Sequence, residues 1–372
     1  VNLFKFGTMI NPNPSTLGLL KPKQHYAILD GLRGVAAITI VVFHFLEWVY
    51  TDYSQNIVGH GYLAVDFFFC LSGFVIGYAY DDRIKEMGIK QFLIVRAIRL
   101  HPLVILGAIL GLLAYLFDPF GIITEPLSIW RVILIFLLTL LLIPFPVMKD
   151  RVYNMFGLNA PAWSLFWEYV ANVVYALFLS RIRRSLLLLL TVIAAVLLCY
   201  VSYRAGGLSG GWGKGNFWEG GARIAYSFLM GLLIHRSKWI IPSKIGFGGV
   251  TLLLMLPFMM PFFSFNWLVE AVVVLFYFPI LVSLGAGTTL SANLKGICNF
   301  SGKISYPLYM THYAAIWIFA NYYKTYNPDI NQVYGIITIG VFILLFAAYV
   351  AMVAYDEPIR KYLIQRLKKS NK

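Results

Sequence analysis

Long apolar runs dominate this chain, separated by short stretches rich in Lys, Arg, Gly and Pro. The runs fall at about 27–50, 60–80, 91–117, 128–147, 163–180, 185–203, 222–235, 243–262, 267–285, 304–323 and 332–354. Crossing a bilayer takes about 20 apolar residues of helix. The pattern therefore predicts an all-α fold, a polytopic bundle of transmembrane helices.

Composition agrees. The 372 residues are 60% hydrophobic and only 12% charged, against about 25% charged in a soluble domain. The formal charge of +14 raises a nucleic-acid partner, but the placement of the charges excludes it. With the N-terminus in the cytoplasm, twenty of the thirty Lys and Arg fall in inside loops and tails, and five fall outside. The other five, Arg33, Arg96, Arg99, Arg131 and Arg223, lie within segments. This is a positive-inside distribution. It holds only if one of the eleven runs does not cross. The run 128–147, flanked by Pro119, Pro126, Pro144 and Pro146 and carrying Arg131, is the candidate for a re-entrant or interfacial element. Ten crossings with both termini inside remain. Residues 1–26 read as a cytoplasmic polar arm without a cleavable leader, 27–356 as the integral membrane domain, and 357–372 as a basic cytoplasmic tail.

The three cysteines, Cys70, Cys199 and Cys298, form no metal or disulfide pattern. No metal is expected. The stretch RAGGLSGGWGKGNFWEGG (204–221) reads as an outer loop. Its Trp212, Phe217 and Trp218 suit either a sugar face or membrane-interface anchoring.

Ionisable residues inside membrane segments are costly and mark functional sites by default. Asp30, Arg33 and His44 share one helix face: Arg33 and His44 differ by about 20° of rotation and about 16 Å of rise. Histidine has the side-chain pKa closest to neutral, which makes His44 the leading candidate for proton transfer in the outer half of the bilayer. Arg96 and Arg99 share a face near the inner end of their segment. Two guanidiniums there suit a phosphorylated ligand or anionic headgroups. Ser164, Glu168, Asn172 and Tyr175 form one polar stripe. Glu168 on it can orient a histidine, hold a hydroxyl or bond another helix. Asp66 reads as a ligand contact or a helix–helix bond, His312 as a buried structural or substrate-facing group, and Gly73 with Gly77 as a close helix contact.

Six stretches carry a resemblance: LDGLRGVAAITIVVFH (29–44), GYLAVDFFFCLSGFVIG (61–77), RAIRLHP (96–102), WSLFWE (163–168), SYPLYMTH (305–312) and DEPIRK (356–361). Together, in this order, they resemble the acyltransferase-3 family of bacterial integral membrane O-acyltransferases. The resemblance implies transfer of an acyl group, most often acetyl, from cytoplasmic acyl-coenzyme A to a hydroxyl of an exported or surface carbohydrate. It implies a multi-pass protein of the cell inner membrane whose partners are acyl-coenzyme A, a carbohydrate acceptor and the bilayer. By this carry-over His44, as general base or as acyl carrier, and Glu168 are catalytic candidates, and Arg33, Arg96 and Arg99 bind the coenzyme. Asp30, Asp66, Trp163, Ser164 and His312 are candidate substrate contacts. Tyr169 follows Glu168 where many relatives have a second acidic residue, which weakens any two-carboxylate scheme. The rival reading is a carrier or flippase for a lipid-linked or phosphorylated substrate, without acyl chemistry. Oligomeric state stays open, a homodimer included.

Overall fold

A computed structural model describes residues 26–121 and 127–370. All but the last residue of the arm expected over 1–26 lies outside the described residues, as does the end of the tail. The described residues are helical and hold no strand, only two isolated bridges. The helices are α1 (Ala27–Val49), α2 (Ala64–Tyr80), α3 (Ile89–Leu116), α4 (Ile129–Leu140), α5 (Ala162–Leu177), α6 (Arg184–Ala205), α7 (Phe217–Ser237), α8 (Gly246–Phe258), α9 (Asn266–Gly287), α10 (Ala292–Thr311), α11 (Tyr313–Tyr326), α12 (Ile330–Val350) and α13 (Glu357–Ser370).

Seven stretches among the described residues are long and apolar enough to cross a membrane: α1, α3, α6, α9, α2 with the turn before it, α5 with the turn after it, and the run from α12 into α13. The protein is thus a multi-pass helical membrane protein. The other three expected crossings fall on α7, on α8 and on the α10–α11 pair. Helix α7 is long enough, but it carries Glu219, Arg223, His235 and Arg236. Helix α8 covers only about 20 Å, less than the roughly 30 Å hydrocarbon core, because Pro257 and Pro261 close it early. Helix α10 starts at Ala292, well before the apolar run at 304. Only one side of its polar first half is covered, with Cys298 and then Gly302 buried while Ile297 and Phe300 are exposed. Helix α4 runs for about 18 Å, capped by Ser128, whose side chain accepts from the Arg131 N–H. That length does not span a bilayer, in keeping with the non-crossing element expected there.

Two pairings organise the bundle: α1 against α10, and α2 against α7. Lipid-facing helices such as α6 and α12 expose Leu, Val, Ile and Phe along one side. The pair α2–α7 is close because Gly73 meets the backbone of Phe228 with no side chain between. On the other pair Gly302 leaves room for the Asp30 carboxylate. The α1–α10 seam therefore brings Asp30, Arg33 and His44 against Gly302, Ser305 and His312.

Candidate active site

The seam is polar from the inner end outward. Near the inner end Arg33 donates from Nη2 to Asp30 Oδ1 at 2.8 Å and to the Gly302 carbonyl at 2.9 Å. Its Nε donates to Ser305 Oγ at 3.1 Å. The guanidinium is thus held in place by α10 while a quarter of its side chain stays open.

Further along the same helix His44 meets a carboxylate that the sequence reading did not single out. His44 Nδ1 lies 2.7 Å from Glu47 Oε1, and the Tyr313 hydroxyl donates to the same oxygen at 3.1 Å. A carboxylate only accepts, so the proton of neutral His44 sits on Nδ1 and Nε2 carries the free lone pair. The ring keeps 18% exposure, so that lone pair belongs to a site open to a ligand. His312 stacks beside it, ring centroids 5.4 Å apart and planes 23° off parallel. His312 stands at the joint between α10 and α11, fully buried. Its Nδ1 donates to the carbonyls of Leu308 and Tyr309 at 3.1 and 2.9 Å, and its Nε2 has no hydrogen-bond partner. An unpaired buried nitrogen calls for a reason, such as a catalytic or ligand-binding role. One turn inward, Tyr309 shares a 2.7 Å hydroxyl–hydroxyl bond with Ser164.

The arginines gather at the inner mouth. Arg96 is buried and donates to Glu168 Oε1 at 2.9 Å, and Ser72 Oγ donates to the same oxygen at 3.1 Å. Glu168 thus faces Arg96, and its bonds run to the inner cluster rather than to His44. Arg99 makes no hydrogen bond or ion pair among the described residues. Its side chain is open to solvent. The charges of Arg96, Arg33 and Arg360 all reach it. Each of those three has its own carboxylate: Glu168, Asp30 and Asp356. The uncompensated charge therefore concentrates on Arg99, a ready site for phosphate oxygens.

The remaining candidates sit elsewhere. Asp66 and Arg223 form a buried pair at 2.6 Å. Arg223 also donates to the carbonyls of Tyr62 at 3.0 Å and Gly210 at 2.6 Å, and lies over the Trp163 ring. Beside it, buried Glu270 accepts from Tyr62 and from the N–H of Leu208. This network ties the Gly-rich outer loop to α2, α7 and α9. Asp66 and Trp163 are engaged in it and are not brought to His44. Trp218 is exposed, whereas Phe217 is buried. Arg131 is exposed on α4. No group of three or more His, Cys, Asp or Glu among the described residues could hold a metal ion.

Three residues escaped the sequence reading. Glu47 had a signal, since it is one turn from His44. Tyr313 sits next to His312 but reads as one more aromatic among many. Arg360 lies in the DEPIRK stretch, but nothing there pointed to a role, because only the tertiary fold brings the last helix back to Arg99.

A histidine–carboxylate pair at one end of the α1–α10 seam and a cluster of arginines at the other mark the polar interior of a multi-pass helical membrane protein. The chain belongs to the acyltransferase-3 family, whose acyltransferase domain matches residues 26–355. It is also similar to Protein 2 in picA locus of Rhizobium radiobacter, 38% identical over 188 residues, which cover 48% of this chain and 94% of that protein. No solved structure matches.

Proposed function

We propose that this acyltransferase takes its acyl group, acetyl by family resemblance, from cytoplasmic acyl-coenzyme A and delivers it to a hydroxyl of an extracytoplasmic carbohydrate at the bacterial inner membrane. The observation that carries the reading is the His44–Glu47 bond, which leaves Nε2 of His44 as a base. Glu47 fixes the tautomer and stabilises the imidazolium that forms, the role a carboxylate plays behind any general-base histidine.

The coenzyme phosphates sit on Arg99, with Arg33 and Arg96 adding charge. The arm between phosphates and thioester spans the roughly 16 Å from Arg33 to His44. The acceptor enters from outside. His44 Nε2 takes its hydroxyl proton as the oxygen attacks the thioester carbonyl. The C–S bond breaks, the ester forms, and the proton passes from His44 to the departing thiolate. Glu168 keeps Arg96 extended. Ser164, through Tyr309, and His312 border the path of the acyl group.

The test uses purified protein with acetyl-coenzyme A and the host's surface polysaccharide, read by NMR for new O-acyl signals. His44→Ala is expected to abolish them while the protein stays folded. Acylation near the wild-type level in that variant would overturn the reading, and a carrier without acyl chemistry would then fit better.

A further inference from the structure

Helix α13 begins just past residue 355, where the matched acyltransferase domain ends, and opens on the DEPIRK stretch. It packs on α3, the helix of Arg96 and Arg99. A π turn at Ala351–Asp356 joins it to α12. Such a turn re-aims the side chains that follow and recurs at functional sites. Here Asp356 points into the bundle, 2% exposed, and holds Arg360 Nη1 at 2.8 Å. Its second oxygen, Oδ1, has no partner. Arg360 keeps 29% of its side chain exposed, and the charges of both Arg360 and Arg99 reach Asp356. The pair is thus on the protein side of α13, within reach of the charge of Arg99.

We propose that Arg360, held by Asp356, is the subsite for the 3′-phosphate of coenzyme A and makes the protein discriminate against the 3′-dephospho form. The proposal rests on the acyl-coenzyme A reading above. Coenzyme A presents its groups in a fixed order: thioester, pantetheine arm, diphosphate, then the adenosine with its single 3′-phosphate. The cations run from deep to shallow in the same direction. Arg99 lies about 15 Å from the inner end of α3, deeper than Arg33 at about 9 Å from the inner end of α1. Arg360 lies about 45 Å along its helix run from Ile330, at the depth of the inner headgroups. A ligand whose thioester reaches His44 and whose diphosphate lies on Arg99 leaves its ribose phosphate beside Arg360. A guanidinium fork already fixed by a carboxylate takes a terminal phosphate with little further loss of freedom.

The experiment measures binding of coenzyme A and 3′-dephospho-coenzyme A to purified full-length protein by calorimetry, first in neutral detergent and then in vesicles containing anionic phospholipid. Wild type is expected to prefer coenzyme A by about tenfold or more. Arg360→Gln should erase that preference by weakening coenzyme A alone, Arg360→Lys should restore part of it, and Lys361→Gln, on an exposed neighbour, should leave it intact. Should Arg360→Gln lose its fold, Arg360→Lys compared across the two ligands still reads the preference. Equal affinity of wild type for both ligands would overturn the proposal and leave acyl-coenzyme A as donor. So would an equal loss for both in Arg360→Gln, which assigns the arginine to the diphosphate. An effect present only in anionic vesicles would assign it to a lipid phosphate instead. No binding of either ligand to wild type would overturn the donor reading itself, and the subsite with it.

Discussion

His44 and Glu47 lie one turn apart on α1 and share a 2.7 Å hydrogen bond from Nδ1 to Oε1. Both residues therefore belong to one rigid element, and the tautomer of the histidine is set before any ligand arrives. The Tyr313 hydroxyl donates to the same carboxylate oxygen, so Glu47 cannot swing away without losing two bonds.

Replacing Glu47 with Gln removes the charge behind the imidazole and permits the wrong tautomer. Transfer from acetyl-coenzyme A is expected to fall by about a hundredfold or more, with the melting temperature near wild type. The rate of O-acyl ester formation on host polysaccharide measures it. A variant as fast as wild type would remove Glu47 from the mechanism.

Tyr313→Phe deletes one hydroxyl and retains the ring that packs on His44 and Trp317. One hydrogen bond is worth about 0.5–1.5 kcal/mol, so the rate should drop by roughly two- to tenfold. Coenzyme A affinity should not change, because the hydroxyl is on the outer side of the acyl path. Paired rate and binding measurements separate the two effects.

Arg96 and Arg99 share a helix face yet should respond differently. Arg99→Ala removes an open, unpaired cation, so coenzyme A binding weakens while thermal stability holds or rises as repulsion is relieved. Arg96→Ala strands Glu168, whose oxygen is left with Ser72 alone. That variant should melt earlier, and adding Glu168→Gln should recover most of the loss. Melting curves in detergent distinguish the pair; identical behaviour of the two single variants would contradict the geometry.

Asp66→Ala leaves Arg223 charged and buried, at a cost of about 3–5 kcal/mol. The variant should be poorly folded, and the double change Asp66→Leu with Arg223→Met should regain much of the stability. Acyl transfer per folded molecule in the double variant should stay close to wild type if the pair only anchors the outer loop. A normally folded but inactive double variant would instead return Asp66 to the list of substrate contacts.

Much of the architecture was legible in the run of residues because lipid enforces it. Apolar length marks the spans, and loop charge sets their direction. The exception at 128–147 was readable from its prolines, and α4 is short for that reason. The polar half of α10 was not readable, since Lys295 and Lys303 disguise a helix whose buried side is chosen by α1.

Within the site the one-helix relations were accessible to spacing: Asp30 with Arg33, and Arg33 with His44. The same rule applied once more would have produced Glu47. Relations across helices were not. Glu168 could as well have faced His44 as Arg96, and Asp66 had no visible partner until Arg223 closed on it. The aromatic loop residues likewise divide only in three dimensions, with Trp218 exposed and Phe217 buried.

The sequence by itself determined a helical membrane protein with Asp30, Arg33 and His44 on one face of one helix, because helix rise and bilayer thickness are fixed lengths. Only the tertiary structure decided the partners: which carboxylate neutralises which arginine, which histidine stacks on which, and that the final helix returns Arg360 to the inner mouth. The physical reason is reach. Periodicity orders residues along one helix, whereas a hydrogen bond of about 3 Å between helices depends on how closely small residues such as Gly73 and Gly302 allow them to pack.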